Sequence, residues 1–359
     1  MLISLLKNKK FPLFLFFYHM AFTVAVWQLG LQADSYFYWF NKETSFGWLQ
    51  YQPFPMGNSF MLYLNYVPAY LLRIPLWVGD LIYSCIGFTG IFYWHLSIQK
   101  YINFTPDFKR LQLPKLLLLF PSLHLWTSFV GKEAILFSLM SLIFYRIISK
   151  KNWWFTALFF IPIVLIRPHT AAMILAAAVL SFLLTYPTRW WNKLIVAICG
   201  LLIGIAAIYS LLYTANFQNI DISSIKQYIQ AHHTVFKDTP SYVPMEEYSI
   251  PWQLFTFYFR PIAAESLDLL GWFYGLENMV FLGLFLIWSY FLILNYKVIK
   301  ISFLQVFIFV LALVYALVYA QLYSNFGIIA RTKILVTPFI YIIQIHIIFQ
   351  LIKNPFKLK

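Results

Sequence analysis

Apolar runs long enough to cross a bilayer recur along this chain, separated mostly by short polar turns. A helix needs about 20 apolar residues to span the hydrocarbon core. The pattern predicts ten helical spans, at roughly 11–31, 79–98, 115–128, 132–149, 153–166, 170–186, 193–213, 269–294, 303–322 and 334–352. The runs at 115–128 and 153–166 are short for a full crossing, which predicts tilted or broken helices there. Two connections are long, 32–78 and 214–268. In the first, the stretch 57–75 is apolar but interrupted by Pro68 and Arg73, so it is expected to lie along the membrane interface as a helix. In the second, Ile222, Ile225 and Ile229 recur at helical spacing, and the Pro-punctuated stretch 237–252 suits an irregular lid. The expectation is an all-α, polytopic membrane protein forming a single transmembrane domain over residues 1–359, without internal repeats.

Composition agrees with this pattern. Hydrophobic residues make up 62%, aromatic residues 21% and charged residues only 11%, too little polar surface for a soluble globule. The formal charge of +14 would suit nucleic acid if it were clustered, but the basic residues are scattered in twos and threes between apolar runs, as in cytoplasmic loops. No nucleic-acid partner is expected. Cys85 and Cys199 fall inside apolar runs, outside any Cys-x-x-Cys pattern, and read as packing residues. Lys7, Lys9 and Lys10 precede the first apolar run as in a signal peptide, yet no small-x-small cleavage pattern follows before Asp34, so a retained first span is expected.

Charge sets an expected orientation. On ten spans one side holds Lys42, Arg73, Lys132, Arg167, Lys226, Lys237, Arg260, Arg331 and Lys333, while the other holds the remaining 17 of the 26 Lys and Arg. The richer side is read as cytoplasmic, with both termini on it. The long loops then lie outside. Of the 12 acidic residues only Asp107 falls inside, so opposite charges meet on the outer side. Cations kept where topology disfavours them point to an anionic partner in or on the membrane.

Individual residues sharpen that idea. Asp34, beside Tyr36, Phe37 and Tyr38 just after the first span, could act as general base toward a sugar hydroxyl, or could simply sit in headgroup water. Lys132 and Glu133 open a helix; the helix dipole favours Glu133 there and opposes Lys132, which implies an anionic visitor or a pairing with a carboxylate. His124 in the preceding run reads as a structural hydrogen-bonding residue or a relay. Arg167, Pro168 and His169 form a tight turn, where the guanidinium fork could grip a phosphate or snorkel to lipid headgroups. Arg260, Glu265, Asp268 and Glu277 follow the second long loop. Glu277 lies deepest, with Arg260 or Arg331 as expected mates. Arg331 and Lys333 precede the last span.

The arrangement resembles the GT-C superfamily of membrane glycosyltransferases, whose pattern is an acidic residue after the first span, interfacial helices, and a second acidic residue in the next outer turn. Asp34, the stretch 57–75 and Glu133 match in order. The segments PSLHLWTSFVGKEA, IRPH, FRPIAAES and NFGIIARTK are similar to stretches of bacterial O-antigen and exopolysaccharide polymerases of the Wzy and EpsG type. The resemblance implies a polyprenyl-phosphate or pyrophosphate-linked saccharide donor, used on the outer face of the bacterial cytoplasmic (inner) membrane. It implies Asp34 and Glu133 as catalytic residues, and Lys132, Arg167, His169, Arg260, Glu277, Arg331 and Lys333 around the substrate. Many GT-C enzymes carry a second acidic residue beside the first, which Asp34 lacks, so a divalent metal, Mg or Mn, on Glu133 or on both carboxylates stays an open expectation.

Two other classes compete. A flippase or exporter of lipid-linked saccharide would place polar residues near the midplane and often shows repeated halves. Here the charges gather at one edge. An assembly subunit of a surface-polymer complex would have no activity of its own.

Overall fold

A computed structural model describes residues 10–31, 33–40, 55–102, 113–214, 222–265, 269–297, 299, 301–353. The chain forms two compact units, Met1–Pro168 and His169–Lys359. Among the described residues the only strand-like pairing is a single bridge between Tyr242 and Asn325; the rest is helix and turn.

In unit 1, helix α1 (Phe11–Leu29) begins with Pro12 in its first turn, where a missing N–H is harmless. It ends at Gly30, whose φ of 66° lets its N–H cap the Val26 carbonyl. Helix α2 (Ala33–Phe40) follows. The stretch expected along the interface is helical: α3 (Asn58–Asn65) continues as a π-helical turn to Leu71, and Arg73 leaves it with a φ of 50°. Helix α4 (Leu76–Tyr101) starts after Pro75. A 3-10 segment (Leu113–Leu119) and the short α5 (Pro121–Trp126) lead to α6 (Lys132–Ile148). Helices α7 (Trp153–Leu158) and α8 (Ile161–Ile166) close the unit; the Asn152 side chain caps α7 by accepting from the Trp154 N–H at 2.9 Å and the Phe155 N–H at 3.4 Å.

Helix α4 is the axis of this unit because its glycines admit neighbours at backbone range. A Cβ on Gly87 would lie 2.0 Å from the Thr127 carbonyl oxygen, and one on Gly90 would lie 2.7 Å from Ser138 Cα. Small residues let membrane helices pack this closely. Ser138 uses the proximity, donating its hydroxyl to the Ile86 carbonyl across the α4–α6 contact.

Unit 2 contains α9 (Pro168–Thr185), α10 (Trp190–Thr214), α11 (Ile222–Val235), α12 (Ile250–Phe259), α13 (Leu269–Asn295), α14 (Phe303–Ala320), α15 (Phe326–Lys333) and α16 (Thr337–Lys353). A Ser302/Gln305 capping box opens α14, and the Asn325 side chain caps α15 by accepting from the Ile328 N–H at 3.1 Å. The segment between α11 and α12 is irregular apart from one 3-10 turn at Met245–Glu247, as its prolines predict.

Among the described residues five helices are long and apolar enough to cross a bilayer: α1, α4, α9, α13 and α14. A sixth crossing is formed if α15 and α16, bent by 57°, act as one broken span. These correspond to six of the ten expected runs. Prolines explain part of the difference. Pro114 and Pro121 divide the run at 115–128 into a 3-10 segment and a six-residue helix, and Pro162 follows the break between α7 and α8. Helix α6 is apolar but only 17 residues long. Cys85 and Cys199 are both exposed, contrary to the packing role read for them.

Candidate functional site

In unit 1 the elements that carry Asp34, Lys132, Glu133 and Arg167 are joined at one end. Ser35, next to Asp34 in the first turn of α2, donates its hydroxyl to the Val130 carbonyl at 2.9 Å. Val130 lies three residues before Glu133, so the starts of α2 and α6 are pinned together. The same turn is held from its other side by Asp80, fully buried near the start of α4, whose Oδ1 accepts from the Val130 N–H at 2.8 Å. Asp80 Oδ2 accepts from Trp27 Nε1 at 2.9 Å, which adds the end of α1. The Gly57 N–H donates to the Leu165 carbonyl at 2.8 Å and brings the end of α8, with Arg167 just beyond it.

Glu133 and Arg167 form the charged centre of this end. Arg167 Nη2 lies 2.6 Å from Glu133 Oε1, and their side chains keep only 10% and 1% of their exposure. Glu133 occupies the first turn of α6, where unpaired N–H groups and the helix dipole favour a carboxylate. A buried ion pair is costly to assemble, because both charges give up their water. Lys132 and Asp34 are half-buried in the same first turns.

Unit 2 holds the remaining candidates, near helix ends except for Glu277, which lies inside α13. Arg260 is locked by Glu265: Nε and Nη2 each approach Oε1 at 2.8 Å, and Nε approaches Oε2 at 3.1 Å. The Tyr248 hydroxyl accepts from Nη1 at 3.2 Å, and the rings of Tyr248, Trp252 and Phe326 stand 5.6 to 5.9 Å from the guanidinium. Arg260 is therefore Glu265's partner, and Glu277 acts electrostatically on Lys333. The Lys333 ammonium is buried and donates to Asn278 Oδ1 at 2.5 Å and to the Tyr258 carbonyl at 3.2 Å. Asn278 in turn donates to the Pro261 carbonyl at 2.8 Å, tying α13 to the turn after Arg260. His169 is half-buried with its ring edge-on to Tyr319, centroids 5.8 Å apart, and Arg331 is half-buried in the last turn of α15. Asp268 lies outside the described residues, as do Lys7, Lys9, Lys42 and Asp107.

Sequence reasoning did not single out Asp80, Asn278 or a cluster in the irregular segment before α12. There Ser324 donates its hydroxyl to Glu246 Oε2 at 2.9 Å and meets His233 Nδ1, and Tyr242 donates to Glu246 Oε1 at 2.9 Å. Burial pushes the Glu246 carboxyl up, but the hydrogen bonds from its own backbone, Tyr242 and Ser324 outweigh this and hold it below its ordinary value. Asp80 carried one available signal, a carboxylate inside an apolar run.

Mg or Mn can be held by one or two carboxylates together with waters and substrate phosphates. Among the described residues no three His, Cys, Asp or Glu side chains come together, and Glu133 Oε1 is engaged by Arg167. No family model, no curated protein and no solved structure matches the chain.

Proposed function

We propose that the chain is a membrane glycosyltransferase that takes a sugar or oligosaccharide from a polyprenyl-phosphate donor at the outer face of the bacterial cytoplasmic membrane, in surface-polysaccharide assembly. The observation that carries this reading is the Ser35–Val130 bond, which holds the first turn bearing Asp34 against the turn that starts Lys132, Glu133 and the paired Arg167. Two carboxylates and two cations thereby share an end of a unit built from apolar helices. A phosphate-linked donor arriving through the bilayer suits that combination, because guanidinium and ammonium groups stabilise charge developing on a leaving phosphate.

Roles can be assigned within unit 1. The acceptor hydroxyl oxygen forms a bond to the anomeric carbon while the bond from that carbon to the phosphate oxygen breaks, its electron pair leaving with the phosphate. Asp34 takes the hydroxyl proton as general base. Arg167 and Lys132 face the departing phosphate, and Glu133 fixes the direction of the Arg167 fork. Polymerisation of lipid-linked repeat units is the same chemistry with a second lipid-linked chain as acceptor.

The test is the pool of lipid-linked saccharides in cells lacking the gene. A polymerase leaves single repeat units at the outer face, and a transferase leaves a truncated saccharide. Complete units trapped inside would identify a flippase and overturn the proposal.

A further inference from the structure

His19 on α1 and His124 on α5 are both fully buried, and their rings meet nitrogen to nitrogen. His19 Nε2 lies 3.0 Å from the Ser84 carbonyl oxygen on α4. His124 Nε2 lies 2.6 Å from the Leu118 carbonyl oxygen. Between the rings, Nδ1 faces Nδ1 at 3.0 Å, an ordinary N–H···N hydrogen-bond length.

The positions of the protons follow from these partners. A carbonyl oxygen only accepts, so each Nε2 must carry a hydrogen. A neutral imidazole has one N–H in all, so two neutral rings arranged this way would set two lone pairs against each other at 3.0 Å. Two hydrogens cannot satisfy three contacts. A third, placed between the Nδ1 atoms, satisfies all of them and gives the pair a single positive charge.

We propose that His19 and His124 form a proton-binding site, holding one proton between their Nδ1 atoms as a shared, buried cation. Burial opposes the charge, and what offsets that cost is not a carboxylate. Three carbonyl oxygens, those of Ser84, Thr127 and Leu118, face the pair, and aromatic rings line it: Tyr18 stands edge-on to His124 at 4.7 Å, Phe22 stacks on it at 5.4 Å, and Phe88 lies 6.2 Å from His19. The titratable groups on the neighbouring elements have other engagements. Tyr18 donates to the Leu119 carbonyl, Asp80 accepts from Trp27 and Val130, Tyr83 donates to Asn65, His95 meets Gln99, and Lys115 lies over the Phe11 ring. An ionisable pair at such depth in apolar helices is a functional feature by default.

The pair joins α1, α4 and α5, and α5 runs directly into the turn that positions Lys132 and Glu133. Losing the proton would leave the Nδ1 lone pairs opposed and press α5 away from α1. The inference does not depend on the glycosyl-transfer reading.

The experiment is nitrogen-15 and proton NMR on histidine-labelled, full-length protein in detergent micelles, comparing wild type with His19→Gln and His124→Gln. In wild type a single strongly deshielded proton coupled to two imidazole nitrogens is expected, and it disappears as pH is raised. Both single variants should lose it. Nδ1 atoms of both rings unprotonated at every pH between about 5 and about 9, the range in which histidine ordinarily titrates, would overturn the proposal. So would a signal that survives in either variant, or a stoichiometric metal ion in the purified protein. Because the wild-type spectrum alone decides, poor folding of a variant does not rescue the idea.

Discussion

Breaking the Glu133–Arg167 pair one residue at a time should cost far more than removing it whole. The N–O separation is 2.6 Å and the two side chains retain 1% and 10% of their exposure, so neither charge can turn to solvent when its partner is lost. Removing one member of a buried ion pair costs about 3–5 kcal/mol, because the survivor stays buried and uncompensated, whereas an apolar pair of similar volume is often neutral. Glu133→Leu and Arg167→Met should therefore each be strongly destabilised, and the double variant should be more stable than either single. For a unit of this size about 3–5 kcal/mol corresponds to a fall of roughly 6–20 °C in the unfolding midpoint. The assay is thermal unfolding of the full-length protein in detergent, followed by fluorescence, over the complete double-mutant cycle. If the single losses are small and simply add in the double variant, the pair is solvated and the reasoning fails.

Gly87→Ala places a Cβ 2.0 Å from the Thr127 carbonyl and should lower the unfolding midpoint by the equivalent of about 1–3 kcal/mol, the usual cost of overpacking. Gly283→Ala on α13 meets nothing within 4 Å and should be neutral or gain up to about 1 kcal/mol from helix propensity; a loss equal to that of Gly87→Ala would contradict the packing described. Asp80→Ala leaves the buried Val130 N–H without its acceptor, a cost of about 1–3 kcal/mol, and should also loosen the start of α6, read as faster hydrogen exchange at Val130 and Gly131. Because folding holds the Glu246 carboxyl below its ordinary value, its contribution is fully present above the unfolded value and is lost as pH falls through the folded one. Limited proteolysis of residues 236–249 should accordingly accelerate at acid pH in wild type, and Glu246→Gln should remove that pH dependence.

Local pattern made the helices legible, and long-range pairing hid the site. Pro12 and Gly30 bracket α1, and unbroken apolar runs mark α9, α13 and α14. The prolines at 114, 121 and 162 were equally visible, yet hydropathy alone counted the runs around them as spans. Charge position brought Glu133 and Arg167 forward separately; that they bond each other across 34 residues is a fact of packing that no periodicity encodes. The same holds for Ser35 with Val130, 95 residues apart, and Lys333 with Asn278, 55 apart. Lys333 was read as a cation for a visiting anion, but burial turns its ammonium toward Asn278 and the Tyr258 carbonyl. Small polar residues such as Ser35 and Asn278 carry little weight in a sequence, and here they place the charged ones.

Transfer by the purified protein tests the central claim most directly. Full-length chain reconstituted in vesicles, supplied with a radiolabelled sugar on polyprenyl phosphate and a saccharide acceptor, should release polyprenyl phosphate as labelled product forms. Asp34→Asn should lose at least about 100-fold in rate, the lower range for removing a general base, while remaining folded. Arg167→Lys, which keeps the charge but not the fork, should be impaired as well. Product formation undiminished in both variants, or no transfer by a folded wild-type protein from any polyprenyl-phosphate donor tried, would contradict the account.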